Sequence, residues 1–263
     1  MVTLLESELE NVVARFQFPD AKSFREIVDT LAKLMEEARF TITSDGIKVV
    51  GMDSSKMALI DIFMPRDAFL EYEVAEDREE VYLGVNLSSL SQMLKKGKKG
   101  EPITFMVADD RALIRIDSVV VKKFLVPNIE VLIEVPEEIR LEFDVEASVI
   151  SDSLKKALRD VEIVGEVVEF EATEDSLIIK SRGEGAKART IFTRDSPALT
   201  YLEVRAPSKS AYELAYLKNI LNLTKIADSV DIRFSTDKPL ELVFKTPGPG
   251  ELTVRYLLAP TSL

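Results

Sequence analysis

The stretch "LSQMLKKGKKGEPITFMVADDRALIRI" (90–116) recurs in altered form as "LKNILNLTKIADSVDIRFSTDKPLELV" (217–243). At a constant offset of 127 residues and without a gap, Leu90 meets Leu217 and Asp110 meets Asp237. Sequence identity is low, but the apolar pattern and the turn positions recur, with Ile103 meeting Val230, Phe105 meeting Ile232 and Leu113 meeting Leu240. A recurrence of this length predicts two similar structural units in one chain.

A second pair of stretches lies upstream, where "ARFTITSDGIKVVGMDSSKMALIDIF" (38–63) matches "VVEFEATEDSLIIKSRGEGAKARTIF" (167–192) at an offset of 130. The segment between the halves, "VPNIEVLIEVP", is bounded by prolines, which favours an extended linker over the surface. We therefore expect an N-terminal domain over residues 1–125, a connecting loop over 126–136 and a C-terminal domain over 137–263.

Each half has the same predicted order of elements: a strand, a helix, strands joined by short turns, a second helix and a hairpin. The first helix is predicted over 21–38, with an apolar stripe at Phe24, Ile27, Val28, Leu31, Leu34 and Met35. In the second half, "RLEFDV" (140–145) is predicted as a strand and 147–161 as a helix. This pattern predicts an α+β fold of two similar domains, each with two helices packed on antiparallel sheets.

The composition excludes several classes of site. The chain of 263 residues has a formal charge of −12 and contains no His and no Cys, so it has no imidazole base, thiol nucleophile or disulfide. The sequence contains no run of about 18 apolar residues and therefore predicts no membrane span. Its acidic start does not resemble a signal peptide. We expect a cytoplasmic protein without a metal site or cofactor. The Asp109–Asp110 pair favours a turn, and Mg²⁺ binding by such carboxylates remains the alternative.

Positive charge is concentrated on the predicted helices, although the chain is acidic. Four lysines fall within 95–99, and the third helix carries three basic residues. The fourth predicted helix has Lys218 and Lys225, with Asn222 between them on the same face. Each cluster alone is typical of a solvated helix end. Four basic helices on one side would instead form a surface suited to a phosphate backbone, without sequence readout.

The sequence resembles the proliferating cell nuclear antigen family, the DNA sliding clamps of archaea and eukaryotes, over residues 14–260. The stretches that carry the resemblance are "SDGIKVVGMDSSKMALIDI" (44–62), "GVNLSSLSQMLKKGKKGE" (84–101) and "KPLELVF…GELTVRYLLAP" (238–260). It implies a non-enzymatic, ring-shaped trimer with the DNA clamp fold, associated with the nucleoid. Helices line the hole of such a ring, and duplex DNA passes through it.

The resemblance also implies three sets of residues. Those facing DNA are Lys22, Arg25, Lys95, Lys96, Lys98, Lys99, Lys155, Lys156, Arg159, Lys218 and Lys225. A groove for the peptide motifs of partner proteins comprises Met52, Met57, Leu59, Val135, Pro136, Pro239, Leu257, Ala259 and Pro260. The subunit interface comprises Val119, Val121, Lys123, Ala188, Thr190 and Phe192. The implied partners are DNA polymerase, the clamp loader, flap endonuclease and ligase.

Some features depart from the family pattern, and two alternatives stay open. About twelve residues precede the usual start, and Gln92 and Asn222 stand where many relatives have Lys. Leu257 replaces an aromatic residue of eukaryotic members. The chain is either a self-sufficient homotrimer or one subunit of a heterotrimer. The alternative from a different class is a Mg²⁺-dependent enzyme that uses carboxylate clusters.

Overall fold

The computed structural model describes residues 9–133, 135, 141–248 and 250–262. They divide into two compact units: the first takes its residues from 1–51, 61–135 and 248–252, and the second from 52–60, 136–247 and 253–263. Each unit combines helices with antiparallel strands, as the α+β prediction required. Pro136, which was assigned to the groove, lies outside the described residues.

In the first unit, the strands are β1 (Ala14–Phe18), β2 (Glu37–Ile42), β3 (Gly46–Met52), β4 (Ala58–Pro65), β5 (Glu71–Val74), β6 (Val81–Asn86), β7 (Ile103–Val107), β8 (Arg111–Ile116) and β9 (Lys122–Pro127). The helices are α1 (Ala21–Leu31) and α2 (Leu87–Leu94). One sheet has the order β5-β1-β7-β8-β9, and a second run of strands has the order β4-β3-β2-β6. The last residue of β3, the whole loop 53–57 and the first three residues of β4 belong to the second unit.

In the second unit, the strands are β10 (Val145–Ile150), β11 (Val167–Thr173), β12 (Ser176–Arg182), β13 (Lys187–Thr193), β14 (Leu199–Val204), β15 (Ser208–Glu213), β16 (Ser229–Phe234), β17 (Leu240–Lys245) and β18 (Thr253–Leu258). The helices are α3 (Ser151–Glu162) and α4 (Leu214–Asn219), and a 3₁₀ segment covers Leu221–Lys225. The sheet orders are β13-β12-β11-β15 and β14-β10-β16-β17-β18.

The apolar stripe of α1 is buried, as its periodicity predicts. Phe24, Ile27, Val28 and Leu31 are fully buried, and Leu34 is buried just beyond the helix. The helix nevertheless ends at Leu31, because the amides of Lys33 and Leu34 donate to carbonyls only three residues back. The first core also contains stacked Phe16 and Phe105 rings, whose centroids lie 4.9 Å apart.

The prediction for the start of the second half is wrong by about one element. Residues 145–150 form β10 with alternating burial, and α3 begins only at Ser151. Val145, Ala147 and Val149 are buried on one face, which is the two-residue period of a strand. The Ser151 amide then donates to the Asp228 carbonyl oxygen at 2.9 Å, which fixes the point where the chain turns into the helix.

Candidate nucleic-acid interface and peptide groove

The lysine-rich loop after α2 is attached to the first turn of α1. Asp20 caps α1 by accepting a hydrogen bond from the Ser23 amide at 2.6 Å, and its other oxygen accepts from the Gly100 amide at 2.6 Å. The Ala21 amide donates to the Glu101 carbonyl oxygen at 2.8 Å. Burial raises the pKa of Asp20, but the hydrogen bonds from Gly100 and Ser23 outweigh burial and hold that pKa below its ordinary value.

These hydrogen bonds hold the lysine-rich loop against the start of α1, and α1 also packs against α2. The basic residues of the first unit therefore lie near one another. Lys22 is exposed on α1, and four exposed lysines follow α2: Lys95, Lys96, Lys98 and Lys99. For these five side chains, the structure records no ion pair within the described residues. Arg25 differs, because it is half-buried and its guanidinium lies 3.7 Å from the Asp29 carboxylate.

The second unit carries its basic residues among acids. Lys155, Lys156 and Arg159 lie on α3, and Lys156 forms an ion pair with Asp152 at 2.7 Å. The hydrogen bond in this pair lowers the pKa of Asp152 and raises the pKa of Lys156. Lys218 of α4 pairs with Glu162 at the end of α3. These acids reduce the net positive charge that the sequence alone predicts for this surface.

The prediction that Lys218, Asn222 and Lys225 share one helical face is wrong. The α-helix ends at Asn219, and Ile220 leads into the 3₁₀ segment that contains Asn222 and Lys225. The amides of Leu223 and Ile226 each donate to a carbonyl three residues back, as in a 3₁₀-helix. A spacing of seven residues therefore does not place Lys225 directly below Lys218.

Several predicted groove residues come together in the second unit. The Ala259 amide donates to the Met57 carbonyl oxygen at 2.9 Å, which ties the end of β18 to the start of β4. Met52, Met57, Pro239, Ala259 and Pro260 are half-buried. Two further groove residues, Leu59 and Leu257, are only 7% and 5% exposed and so belong largely to the core. Val135 is half-buried and belongs to the first unit.

The loop beside these residues is braced by one carboxylate. Asp53 accepts hydrogen bonds from the Ala58 amide at 2.6 Å and from the Ser55 amide at 3.0 Å. Burial raises the pKa of Asp53, but the hydrogen bonds from Ser55, Ala58 and Met57 outweigh burial, and the pKa lies below its ordinary value. Lys56 takes a left-handed conformation in this tight turn, with φ of 60°. The loop is therefore pre-organised before any partner binds.

Comparisons with known proteins match this architecture. The family model "Proliferating cell nuclear antigen, N-terminal domain" matches residues 13–125. "DNA polymerase sliding clamp 1" of Aeropyrum pernix is 47% identical over 244 residues, which cover 92% of this chain and 98% of that protein. The chain belongs to the proliferating cell nuclear antigen family.

Solved structures of that family share the fold. The structure of PCNA from Thermococcus kodakaraensis superposes with a TM-score of 0.86 at 28% sequence identity, covering 94% of this chain and 100% of that one. A complex of PCNA2 and PCNA3 from Sulfolobus tokodaii gives a TM-score of 0.86 at 26% identity, covering 94% and 98%. The two similar α+β halves predicted from the repeat, and the DNA clamp fold implied by the family resemblance, are thereby confirmed.

In this proliferating cell nuclear antigen chain, the two strands predicted to join subunits are edge strands. Among the described residues, β9 pairs only with β8, and β13 pairs only with β12. Lys123 lies in β9, whereas Val119 and Val121 precede the strand and are exposed. Ala188, Thr190 and Phe192 lie in β13, where Phe192 is buried and the other two are half-buried. The predicted interface strand 119–126 thus begins three residues later, at Lys122.

The connecting segment of this family member is anchored along β6. The Ile129 amide donates to the Gly84 carbonyl oxygen at 3.0 Å, and the Asn128 side-chain oxygen accepts from the Gly84 amide at 2.8 Å. Asn128 also donates to the carbonyl oxygens of Tyr82 and Ala108. Gly84 permits this approach, since an added Cβ would lie 1.8 Å from the Ile129 carbonyl oxygen. The first residues of the connecting segment are therefore fixed to the first unit.

The carboxylate pair on which the alternative of a Mg²⁺-dependent enzyme rests lies in a turn of this clamp-family chain. Asp109 and Asp110 connect β7 to β8, and they pair with Arg78 at 3.2 Å and Arg111 at 2.8 Å. Within the described residues, no group of three or more Asp and Glu side chains could hold a metal ion. No helix in the described part of the chain is long and apolar enough to cross a membrane.

Three residues that brace the candidate site by hydrogen bonds were not predicted as part of it: Asp20, Asp53 and Tyr216. The signal for Asp20 was available, because an aspartate before "AKSF" is a common helix cap. For Asp53, an aspartate before two serines is a turn signal, but the sequence does not show which amides it accepts. No local pattern connects Tyr216 with Ser55, which is 161 residues away in the chain.

Proposed function

We propose that this chain is a subunit of a three-membered ring that encircles duplex DNA and holds a DNA polymerase on its template. The observation that carries the proposal is the 47% identity to a DNA polymerase sliding clamp over 92% of the chain. The ring binds and slides and performs no chemistry itself, in keeping with the absence of His and Cys from the sequence. Segments 1–125 and 137–263 serve as its two domains in each subunit, with 126–136 between them.

The DNA contact in this proposal is electrostatic. Exposed lysines distributed over several helices attract phosphates without fixing a register, which permits sliding along any sequence. The strongest candidates in the first unit are the five exposed lysines without a recorded ion pair within the described residues: Lys22, Lys95, Lys96, Lys98 and Lys99. Arg25, Lys156 and Lys218 contribute less, since each has an acidic neighbour.

The groove around Met57 and Ala259 is the proposed docking site for partner proteins. Half-buried methionines next to a braced loop suit varied apolar anchors, because the thioether side chain adapts its shape. A short segment with a glutamine followed by aliphatic and aromatic residues would place its anchors there. DNA polymerase, the clamp loader, flap endonuclease and ligase are the proposed partners, by the family resemblance.

Ring closure in this proposal joins the two edge strands. An unpaired edge exposes a row of backbone donors and acceptors and favours aggregation, and head-to-tail pairing between subunits removes both free edges. β9 of one subunit would pair with β13 of the next. The Sulfolobus tokodaii structure contains two different PCNA chains in one complex, so strands of non-identical subunits are also compatible with this arrangement.

The test replaces Lys95, Lys98, Lys99 and Arg159 together by Ala. This variant should retain its fold and its peptide binding, yet lose most stimulation of a polymerase on primed circular DNA. The slope of log affinity against log salt should fall by about 0.9 for each phosphate contact removed. The matched control replaces exposed Lys48, Arg205, Lys209 and Lys238 by Ala, none of which lies on a helix. Equal stimulation by the helix variant and wild type across a salt titration would refute the assignment.

A further inference from the structure

A short segment that precedes the region matched by the family model packs against the first sheet. Residues 9–12, called the N-terminal strap below, come just before that region, which begins at residue 13. The Val13 amide donates to the Val107 carbonyl oxygen at 2.8 Å, and the Val13 carbonyl oxygen accepts from the Ala75 amide at 2.9 Å. Asn11 takes a left-handed conformation, with φ of 55°, which asparagine tolerates better than most residues. The strap is therefore anchored at its end and turns at Asn11.

The face of the sheet β5-β1-β7-β8-β9 that points away from α1 is polar except for one row. In β7, Phe105 packs against Phe24 of α1, so Met106 lies on the opposite face. Met106 is directly opposite Leu113 of β8, and Leu113 is directly opposite Leu125 of β9. These three side chains are called the apolar row below. Their neighbours on the same face are polar: Arg15, Gln17, Thr104, Arg115 and Lys123.

Leu9 of the strap covers the apolar row. Leu9 forms one buried cluster with Ala108 and Leu113, and the half-buried side chains of Met106 and Leu125 pack against this cluster. Leu113 is fully buried although it lies on the outer face of the sheet. Within the described part of this cluster, Leu9 alone comes from a distant part of the chain. The burial of the row therefore depends on the strap.

The second half of the chain closes the corresponding surface in a different way. At the repeat offset of 127 residues, Met106 corresponds to Arg233 of β16. Arg233 is directly opposite Glu241, as Met106 is directly opposite Leu113. Arg233 forms ion pairs with Glu241 at 2.9 Å and with Glu146 at 2.7 Å, so residues of the sheet itself satisfy one another. An apolar row cannot do this and needs a cover from another segment.

We propose that the N-terminal strap is a fixed part of the first unit, in which Leu9 covers the apolar row and holds the edge strand β9 on its sheet. Without this leucine, the row would be exposed to water and Leu125 would lose a packing partner. The hydrogen bonds between β8 and β9 would then open more often. An exposed apolar row beside an edge strand would also favour non-specific association. This role goes beyond the proposed clamp function and does not depend on it.

The experiment follows hydrogen exchange in the full chain by mass spectrometry. Leu9→Asp should accelerate exchange in 111–116 and 122–127 by at least about tenfold, because the strap can no longer cover the row. Exchange in 229–234 and 240–245 of the second unit should not change. The variant should also bind the dye anilinonaphthalene sulfonate more strongly than wild type. The matched control is Val12→Asp, which makes the same substitution of charge in the same strap at a residue that is 44% exposed.

A double-mutant cycle tests whether Leu9 acts through the row. Leu9→Ala and Leu125→Ala should each accelerate exchange in 122–127. In the Leu125→Ala background, the factor contributed by Leu9→Ala should be at least about threefold smaller than in wild type, since the packing partner is already gone. Leu9→Met, which preserves the apolar volume, should exchange as wild type does.

Unchanged exchange in Leu9→Asp would overturn the proposal, and so would an equal acceleration by Val12→Asp. Strictly multiplicative factors in the cycle would show that Leu9 does not act on Leu125 and would overturn it as well. If Leu9→Asp does not fold, the milder pair decides. Faster exchange in Leu9→Ala together with wild-type exchange in Leu9→Met supports the strap, whereas wild-type exchange in Leu9→Ala overturns it.

Discussion

The side-chain oxygen of Ser55 lies 2.7 Å from the hydroxyl oxygen of Tyr216. Ser55 belongs to the loop before β4, which borders the proposed peptide groove, and Tyr216 lies on α4, two residues before Lys218. The Tyr256 hydroxyl donates to the backbone carbonyl oxygen of Tyr216 at 3.1 Å, which fixes the same turn of α4. Within the second unit, one direct hydrogen bond therefore connects the groove loop to α4, which carries Lys218.

Tyr216→Phe should loosen this connection without creating a cavity. The substitution removes the bond to Ser55 and leaves the backbone bond from Tyr256 in place. One lost hydrogen bond of this kind costs about 1 kcal/mol, which corresponds to roughly fivefold weaker binding of a partner peptide. Isothermal calorimetry with a Gln-x-x-aliphatic-x-x-aromatic-aromatic peptide measures the change. Tyr201→Phe, which alters an exposed tyrosine bonded to Glu203, is the control. Unchanged affinity in Tyr216→Phe would show that the loop does not depend on α4.

Met57→Glu should abolish binding of the same peptide, expected at micromolar strength in the wild-type chain. A carboxylate on the groove rim would be desolvated by the apolar anchors without a partner charge. Met57 is half-buried, so the variant should fold, whereas Leu59→Glu would disrupt the core because Leu59 is 7% exposed. Met93→Glu on α2 is a control of the same chemistry and similar burial. If a folded Met57→Glu protein kept its affinity for the peptide, the docking site would have to lie elsewhere on the chain.

Asp20→Ala should lower the free energy of unfolding at neutral pH by about 1 kcal/mol, because α1 loses its cap. The same change frees the Gly100 amide and should increase hydrogen exchange in the lysine-rich loop. Since the pKa of Asp20 in the folded chain lies below 3.8, its stabilising effect is present above that value and is lost as the pH falls further. The stability difference between variant and wild type should therefore shrink below about pH 4. Asp20→Asn, which preserves a capping oxygen, should be milder. If the difference in free energy of unfolding between Asp20→Ala and wild type did not change with pH, the ionised Asp20 carboxylate would not be what stabilises the helix.

Gly84→Ala should detach the connecting segment from β6, since the added Cβ would overlap the Ile129 carbonyl oxygen. Faster proteolysis and hydrogen exchange over 128–133 would report the detachment. Asn128→Ala removes the hydrogen bonds to the Gly84 amide and to the Tyr82 and Ala108 carbonyl oxygens, and should produce the same signature by another route. Ser118→Ala, in the loop before β9, serves as the control. Protection that persists in both test variants would mean that other contacts hold the segment.

Much of the fold could be predicted from the sequence because the repeat and the apolar periodicity are strong. The stripe on α1 placed Phe24 to Leu31 correctly in the core, and the offset of 127 residues relates Leu87, the first residue of α2, to Leu214, the first of α4. The start of α3 could not be placed in this way. Residues 145–150 suit a strand by alternation and a helix by composition, and tertiary pairing with β14 and β16 decides for the strand.

The candidate site was predictable in its residue types but less so in its electrostatics. The lysines at 95–99 are exposed, and no acid interrupts them, although the carboxylate of nearby Glu101 accepts from the Lys98 amide at 2.8 Å. The pairing of Lys218 with Glu162 joins positions 56 residues apart, and no local pattern reports it. The break at Ile220 was also hidden, because the apolar spacing continues through the 3₁₀ segment. Counting basic residues along one helix therefore overestimates the positive electrostatic potential where acidic side chains of a neighbouring helix pair with them.

The two compact units each contain a piece of the other half of the sequence, and this governs how the chain folds during synthesis. The first unit needs residues 248–252, and the second needs 52–60. The first unit therefore remains incomplete on the ribosome until nearly the whole chain has emerged. Contacts between such distant segments carry a large loop-closure entropy and slow the folding transition. A ribosome that stalls after residue 136 would release a first half that lacks residues 248–252 of its compact unit, a substrate for chaperones and proteases rather than an independent domain.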